Sequence, residues 1–196
     1  MRKLVYSMSV SLDGFITDAD GAIDWTAPGE ELHRFHNQQG RETGMHLYGR
    51  GLYEAMAPWE TRDQDPDAPE AELEWMAIWK QLPKVVFSTT LESVEGNARL
   101  VRGDAVAEVA RLKEEPGDGV LAVGGAGLAT SLVRAGLVDE YRLFVFPIVL
   151  GAGTPFFPPL EERIALDLVE TRTFGSRVVY LRYAVRRDAP GGRASR

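Results

Sequence analysis

Short apolar runs alternate with stretches of helical periodicity along this chain, and each run predicts a strand. The predicted strands are Leu4–Leu12, Met45–Tyr48, Lys84–Ser88, Ala98–Arg102, the apolar run that ends at Gly124, and Asp139–Leu150, which Pro147 interrupts. The predicted helices are Glu30–Thr43, Leu52–Met56, Ala71–Gln81, a helix from an Asp104 cap through Glu114, and Leu128–Gly136. Segments 164–174 and 177–186 close the chain as a hairpin around Gly175-Ser176.

This order of elements predicts the α/β class. Strands that alternate with helices form a mostly parallel sheet with covering helices, and the closing hairpin adds antiparallel strands at one edge. We expect one domain over residues 1–187, followed by a flexible tail at 188–196. The segment Pro58–Pro69, with three prolines and four acids, is expected to be a solvated loop.

Composition narrows the function classes. The 196 residues carry a formal net charge of −7, which argues against binding along a nucleic-acid backbone. The sequence has no cysteine, so thiol catalysis, thiolate metal sites and disulfides are excluded. No apolar run is long enough for a membrane span, and the N-terminus reads as a strand and not as a signal peptide. These features suit a cytoplasmic protein.

The segment 119–130 carries the clearest chemical signal. An apolar run ends at Gly124-Gly125-Ala126-Gly127, and a helical pattern follows from Leu128. Glycines let a phosphate approach the backbone, and the free N–H groups and dipole of a helix N-terminus favour an anion. The segment therefore predicts a nucleotide or dinucleotide ligand.

Three further clusters follow predicted strands: Asp13-Gly14, Gly49-Arg50 and Ser88-Thr89-Thr90. If the strands are parallel, all four clusters lie at one edge of the sheet, where ligands bind in folds of this kind. Glycine amides would hold a pyrophosphate, while the Arg50 guanidinium and the hydroxyls would suit a phosphate. The set predicts NADPH, whose 2′-phosphate needs cationic and hydroxyl partners.

Several motifs give the chain a family resemblance. They are Ser11-Leu12-Asp13-Gly14, Tyr48-Gly49-Arg50, Phe87-Ser88-Thr89-Thr90, Val123-Gly124-Gly125-Ala126-Gly127, and Asp139-Glu140-Tyr141-Arg142-Leu143 leading to Pro147-Ile148-Val149-Leu150-Gly151-Ala152-Gly153. In this order, over about Lys3 to Arg186, the chain resembles the dihydrofolate-reductase-like superfamily. Within that superfamily it resembles in particular the C-terminal reductase domain of the bifunctional riboflavin-biosynthesis deaminase–reductase.

The resemblance implies a three-layer α/β/α fold, NADPH as hydride donor, a small heterocyclic substrate such as a pterin or pyrimidine, and a homodimer. It also implies that Asp13 lies near the substrate, and we therefore take Asp13 as the candidate catalytic residue. The residues that it and the motifs assign to the cofactor are Gly49, Arg50, Ser88, Thr89, Thr90, Val123, Gly124, Gly125, Ala126, Gly127 and Leu128. We expect no metal, nucleic-acid or membrane partner.

The chain also departs from these relatives. Dihydrofolate reductases carry a pterin-binding carboxylate on the first helix, where this chain has Glu31 among other residues. Riboflavin-pathway reductases carry a basic residue soon after Ser-Leu-Asp-Gly, where this chain has Phe15-Ile16-Thr17. A deaminase zinc motif is absent from the sequence, which excludes the deaminase half of the bifunctional activity for this chain.

Histidines and tryptophans offer further candidates. His33 and His36 are spaced to share one helix face, where they would pack, face a substrate or, with a third ligand, bind a metal. Trp59, Trp75 and Trp79 are expected to pack as aromatics, and one of them would cover the nicotinamide pocket.

Two rival functions stay open at this point. Gly125-Ala126-Gly127 approximates a Rossmann glycine motif with Asp139 beyond it, which would suit a dinucleotide dehydrogenase whose strand order would differ. A non-catalytic ligand-binding module on the same fold would bind the cofactor without turnover.

Overall fold

A computed structural model of the chain describes residues 1–61 and 67–187. The predicted loop Pro58–Pro69 therefore lies partly outside the described residues, and the predicted tail from residue 188 lies outside them entirely.

An eight-stranded sheet forms the centre of the fold. Numbered along the described residues, the strands of this sheet and of a separate two-stranded pair, β2 with β8, are β1 (Leu4–Ser11), β2 (Phe15–Thr17), β3 (Thr43–Gly49), β4 (Lys84–Phe87), β5 (Ala98–Val101), β6 (Val120–Gly124), β7 (Glu140–Phe146), β8 (Thr154–Pro155), β9 (Leu166–Thr173) and β10 (Val179–Val185). The large sheet has the order β5-β4-β3-β6-β1-β7-β10-β9. Its first six strands pair in parallel, and β10 pairs antiparallel with both neighbours. The predicted mostly parallel sheet with a closing antiparallel hairpin is confirmed.

Five α-helices in the described part of the chain cover the two faces of this sheet. They are α1 (Glu30–Glu42), α2 (Arg50–Met56), α3 (Glu70–Gln81), α4 (Ala105–Glu114) and α5 (Ala126–Arg134). On one face, Val109 of α4 and Leu132 of α5 join the core with Tyr6 of β1. On the other face, Phe35 of α1 packs with Phe144 and Tyr180, and Trp79 of α3 packs with Tyr48 and Val86. The three-layer α/β/α architecture is confirmed.

The strand order excludes one of the rival folds. A dinucleotide-binding Rossmann sheet has the order 3-2-1-4-5-6 and carries its glycine turn after the first strand. Here the glycine turn follows β6, which lies between β3 and β1. The Rossmann alternative was therefore wrong.

The boundaries of one strand and one helix differ from the sequence predictions, because a proline and a glycine determine where these elements end and begin. The predicted strand Asp139–Leu150 ends as β7 at Phe146, because Pro147 has no N–H to continue the ladder. Helix α5 begins at Ala126, two residues earlier than predicted, since Gly125 with φ of 85° already turns the chain. The sequence reasoning missed the small antiparallel pair of β2 and β8.

Two predicted local features are confirmed. The Asp104 carboxylate caps α4 and accepts hydrogen bonds from the amides of Val106 and Ala107, at 2.9 and 3.2 Å. The hairpin turns around Gly175-Ser176, where Phe174 N donates to the Val178 carbonyl at 2.9 Å. This hairpin places β9 at the edge of the large sheet.

Candidate functional site

The carboxyl ends of the parallel strands bring the four predicted clusters to one edge of the sheet. Because β4, β3, β6 and β1 are neighbours in that order, the clusters follow one another along the edge. They are Ser88-Thr89-Thr90, Gly49-Arg50, Gly124–Gly127 and Asp13-Gly14. We call this set the rim.

One end of the rim is a cation beside hydroxyl groups. Arg50 Nη1 donates to Thr90 Oγ1 at 3.2 Å, and Arg50 Nε donates to Glu54 Oε1 at 2.8 Å. Ser88 Oγ accepts hydrogen bonds from the amides of Thr90 and Leu91, at 3.2 and 3.1 Å, and so holds the turn after β4. Arg50, Thr89 and Thr90 are exposed. A phosphate can therefore reach this cluster.

A second cation stands beside this cluster, and the sequence reasoning missed it. Arg102, the residue after β5, donates from Nη1 to the Thr89 carbonyl at 3.4 Å and from Nη2 to the Glu92 carbonyl at 3.1 Å. The sequence pattern predicts Arg102 only as the last residue of a strand. The signal that would have revealed it is the same one used for Arg50, a basic residue directly after a parallel strand.

The glycine turn combines tight packing with open space. A Cβ atom on Gly124 would collide with Leu52 Cδ2, and one on Gly125 would lie 3.3 Å from Leu52 Cβ. A Cβ atom on Gly127, in contrast, would meet no atom within 4 Å. The first two glycines let the turn pack against α2, and the third leaves room at the N-terminus of α5.

Three of the residues predicted to bind the cofactor could contact it only through their backbone or serve packing at the rim. The side chains of Val123 and Leu128 are buried in the core on the α4–α5 face, so their backbone is the part that a ligand at the rim could touch. A Cβ atom on Gly49 would lie 3.7 Å from Leu128 Cβ, which brings the end of β3 close to α5. The assignment of these residues to a cofactor stays a prediction.

Asp13 ties two loops together at the other end of the rim. Its carboxylate accepts hydrogen bonds from Leu150 N at 3.1 Å and Gly151 N at 2.7 Å. The hydrogen bond from the Ser11 hydroxyl contributes most, and those from the two amides contribute less, to lowering the pKa of Asp13 to about 2. Asp13 is therefore ionised at neutral pH, which suits contact through charge and does not suit a proton donor. Its predicted role in catalysis stays a prediction.

A cavity of about 390 Å³ opens between the sheet and α1, next to the rim. Part of its sheet side consists of small residues that share the α1-facing side of β1 and β6. They are Ser7, Ser9, Ala122 and Gly124. Because Gly124 also begins the glycine turn, the cavity and the rim are continuous. We call this space the α1 cavity.

Aromatic side chains form much of the remaining wall of the α1 cavity. Trp59, Trp75, Tyr48 and Phe144 line it. Trp79 does not, since its side chain is fully buried between α3 and the sheet, with Lys84 Nζ 4.4 Å from its ring centroid. Of the three predicted tryptophan candidates, Trp59 and Trp75 are placed to cover a ring in the cavity.

His33, His36 and His46 line the same cavity. The His36 ring lies 4.3 Å from the Phe144 ring, and the His46 ring stacks on Tyr48 at 5.1 Å. Burial lowers the pKa of His36 to about 4 and that of His46 to about 3, so both imidazoles are neutral at physiological pH. Within residues 1–61 and 67–187, no group of three or more His, Asp or Glu side chains could hold a metal.

Glu31 lies at the other face of α1. Its carboxylate accepts hydrogen bonds from Gly175 N and Arg172 Nη2, both at 3.0 Å. These contacts dock α1 onto the β9–β10 hairpin. Glu31 does not line the α1 cavity, so it is not placed as a ring-binding acid.

A larger cavity of about 840 Å³ lies between the C-terminal end of α5 and segment 159–165. The rim residues are not among those that line it, so it is separate from the candidate site. None of the helices in the described parts of the chain is long and apolar enough to cross a membrane.

Comparison with known proteins gives one family and two curated relatives. Residues 2–180 match the model of the RibD C-terminal domain. The uncharacterized protein YyaP of Bacillus subtilis (strain 168) is 37% identical over 184 residues, which cover 93% of this chain and 94% of that protein. The uncharacterized protein YwjB of the same organism is 30% identical over 179 residues, which cover 90% and 95% of the two chains.

Three solved structures are similar to the chain in fold. A putative riboflavin biosynthesis protein from Shewanella sp. PV-4 has a TM-score of 0.73 at 24% identity, with 95% of this chain and 100% of that one covered. A diaminohydroxyphosphoribosylaminopyrimidine deaminase/5-amino-6-(5-phosphoribosylamino)uracil reductase from Thermotoga maritima has a TM-score of 0.62 at 17% identity, over 94% and 57% of the chains. Dihydrofolate reductase from Enterococcus faecalis, complexed with NADP(H), has a TM-score of 0.59 at 14% identity, over 93% and 96%.

Proposed function

The chain belongs to the RibD C-terminal domain family, and on that premise we propose that it is an NADPH-dependent reductase that transfers a hydride to a small heterocyclic substrate. Two fold neighbours support the reaction class by their names, one as a uracil reductase and one as a dihydrofolate reductase complexed with NADP(H).

One observation carries the proposal: Gly124 belongs both to the rim and to the α1 cavity. A dinucleotide lying along the rim would therefore have its reactive ring delivered into a cavity with aromatic walls. The volume of about 390 Å³ suits ring-sized groups.

The rim residues fit the cofactor by their chemistry. Gly124, Gly125, Ala126 and Gly127 would hold the pyrophosphate, because the space beside Gly127 is open and the amides of the first turn of α5 are directed there. Arg50, Ser88, Thr89 and Thr90 would hold the 2′-phosphate, with Arg102 as a second cation. When bound, NADPH supplies the hydride.

The protein's own residues bind and orient the reactants. Trp59 and Trp75 provide flat apolar surface and exclude water from the α1 cavity, while His36 offers an uncharged polar group. Asp13, ionised on the rim, would act on the substrate through its negative charge. Together these residues would hold an electrophilic carbon of the substrate near the nicotinamide.

The test is a titration of the protein with NADPH and NADH, followed by tryptophan fluorescence and calorimetry. Trp59 and Trp75 line the cavity, so occupancy changes their emission. We expect micromolar binding with a clear preference for NADPH. If neither nucleotide binds, the cofactor proposal is wrong. Tight NADPH binding without oxidation across pterins, pyrimidines and quinones would favour the non-catalytic binding module.

We also propose that two copies associate through β9. This strand ends the large sheet, and its Leu168 and Val169 are each more than half exposed. An exposed edge strand offers unpaired backbone groups to another strand.

A further inference from the structure

The Arg50 side chain on the rim has a carboxylate on one side and a hydroxyl group on the other. Its Nε donates to Glu54 Oε1 at 2.8 Å, and its Nη1 donates to Thr90 Oγ1 at 3.2 Å. A guanidinium carries five N–H donors in a fixed fork, whereas an ionised carboxylate only accepts. Glu54 and Thr90 therefore leave most of the fork open to a ligand, and a ligand that binds there has the Glu54 carboxylate as a neighbour.

Helix geometry places Glu54 beside Arg50. Arg50 is the first residue of α2 and Glu54 lies four positions later, so the two side chains share one face of the helix. Both side chains are about half exposed, at 54% and 48%. An ion pair this exposed contributes little to the stability of a fold. Arg50 and Glu54 can therefore change partners when a ligand binds, at little cost to the fold.

Arg102, the second cation at this end of the rim, has partners of a different kind. Its two hydrogen bonds go to the backbone carbonyls of Thr89 and Glu92, at 3.4 and 3.1 Å. Backbone carbonyls carry no formal charge, whereas Arg50 is bonded to an anion. The proposed phosphate site thus contains two cations and, in direct contact with one of them, a carboxylate.

The two nicotinamide cofactors make opposite demands on this carboxylate. NADPH carries a 2′-phosphate, which needs cations, whereas NADH carries a 2′-hydroxyl, which can donate a hydrogen bond to an acid. A phosphate on Arg50 and the Glu54 carboxylate would bind the same guanidinium, so they would lie close together. Their separation would be shorter than the Debye length, about 8 Å at physiological ionic strength, so salt removes only part of the repulsion.

We propose, resting on the cofactor proposed for the rim, that Glu54 is a specificity-determining residue that narrows the preference for NADPH over NADH. Arg50 and Arg102 attract the 2′-phosphate, and Glu54 repels it. Glu54 also accepts a hydrogen bond from the 2′-hydroxyl of NADH. The protein therefore binds both cofactors, NADPH more tightly, and the carboxylate at position 54 determines the ratio of the two affinities.

Glu54→Gln tests the charge, because glutamine has nearly the same shape and keeps an oxygen that can accept from Arg50 and from a ribose hydroxyl. The dissociation constants of NADPH and NADH are measured by calorimetry for the wild type and the variant at low salt. Two like unit charges about 4 Å apart in water repel by an amount worth about fivefold in affinity, so the ratio of the NADH to the NADPH dissociation constant should rise about threefold or more. An unchanged or lower ratio, or a wild type that does not bind NADH, overturns the proposal.

Glu115→Gln is the matched control for the loss of one charge. Glu115 pairs with Arg111 at the same four-residue spacing, and its side chain is exposed to a similar extent, 42%. It follows α4 and precedes β6, so it lies at the edge of the sheet where β6 begins, opposite to the rim. This variant should keep the wild-type ratio. An equal rise in both variants overturns the proposal, because net charge alone would then explain the effect.

Two fragments of the cofactors test Glu54 without the nicotinamide. 2′,5′-ADP carries the 2′-phosphate, and 5′-AMP does not. Glu54→Gln should bind 2′,5′-ADP about threefold or more tightly than the wild type does, with no change for 5′-AMP. A gain for both fragments, or for neither, overturns the role of Glu54.

A failure of the cofactor proposal gives a different pattern from a failure of this one. If the wild type binds neither NADPH nor 2′,5′-ADP, the rim is not the cofactor site, and both proposals are wrong. If the wild type binds NADPH and NADH and Glu54→Gln leaves the ratio unchanged, the role of Glu54 alone is wrong. Thermal unfolding of each variant verifies that the proteins compared are equally folded.

Discussion

Arg50 Nη1 lies 3.2 Å from Thr90 Oγ1, although the two residues are 40 positions apart in the chain. The contact joins the carboxyl ends of β3 and β4, which are neighbours in the sheet. It joins the two turns into a single cluster of a guanidinium and hydroxyl groups at the edge of the rim, where we propose that the 2′-phosphate binds.

Replacing Arg50 with Ala should weaken NADPH binding about tenfold or more and change NADH binding little. The reason is that the guanidinium is assigned to the 2′-phosphate, which NADH lacks. Calorimetric titration of both nucleotides provides the measurement. Arg111→Ala, which removes an exposed arginine of α4 that pairs with Glu108, serves as the control. Equal losses for NADPH and NADH would refute the 2′-phosphate assignment.

Gly127→Ala should weaken NADPH binding without destabilising the protein. A Cβ atom there has open space in the first turn of α5, and alanine is favoured over glycine within a helix by about 1 kcal/mol. The added methyl group would occupy space assigned to the pyrophosphate. Thermal unfolding and NADPH titration test the two halves. A stabilised variant with unchanged affinity would place the cofactor elsewhere.

Gly125→Ala is expected to behave in the opposite way. Its φ of 85° is disfavoured for a residue with a Cβ atom by about 1–2 kcal/mol, and the new atom would crowd Leu52. The melting temperature should therefore fall. A variant that unfolds at the wild-type temperature would mean that the turn relaxes easily.

Asp13→Asn should loosen the loop at Leu150 and Gly151, since an amide oxygen accepts only part of what the carboxylate accepts from two backbone N–H groups. Hydrogen exchange of these two amides should become faster. If the charge also acts on the substrate, kcat/KM falls as well. An unchanged kcat/KM with the true substrate would leave Asp13 a structural residue.

His46→Phe should reduce the loss of stability in mild acid. Burial, together with nearby Lys84, lowers the pKa of His46 to about 3, against about 6.5 in an unfolded chain. As pH falls below about 6.5 the unfolded state takes up the proton first, so the wild type loses stability until the folded pKa is reached.

The free energy of unfolding, measured by urea titration at pH 7.5 and 4.5, checks this effect. One pKa unit corresponds to about 1.4 kcal/mol, so the variant should lose about 1–3 kcal/mol less than the wild type between these pH values. Equal losses would mean that His46 is protonated in the folded state.

Leu168→Lys and Val169→Lys should each weaken the proposed dimer, because a charged side chain on an edge strand opposes pairing with a second copy. Sedimentation equilibrium at micromolar concentration measures the mass. Leu73→Lys, which adds a lysine at an exposed position of α3, is the matched control. A wild type that sediments as a single chain would contradict the dimer.

The sequence predicted the rim well because each cluster directly follows its strand. Strand alternation indicates a parallel sheet, and a parallel sheet collects such residues at one edge. Asp13, Arg50, Ser88 and Gly124 needed no knowledge of distant contacts to be placed together. The family motifs added the layer architecture.

The α1 cavity was not predicted, because it depends on packing between segments far apart in the chain. Its wall joins His36 of α1 to Phe144 of β7, and periodicity alone does not show that the two meet. The pairing of β2 with β8 was missed for the same reason, since strands of two or three residues give no periodic signal.

The small residues Ser7, Ser9 and Ala122 have a consequence for how this protein can change. At the centre of a sheet, larger apolar side chains would bury more surface and stabilise the fold. The free energy forgone there keeps the α1 cavity open. Larger side chains at these positions would raise the melting temperature, but they would fill the cavity and so reduce the proposed activity. Substitutions on the α4–α5 face do not have this conflict.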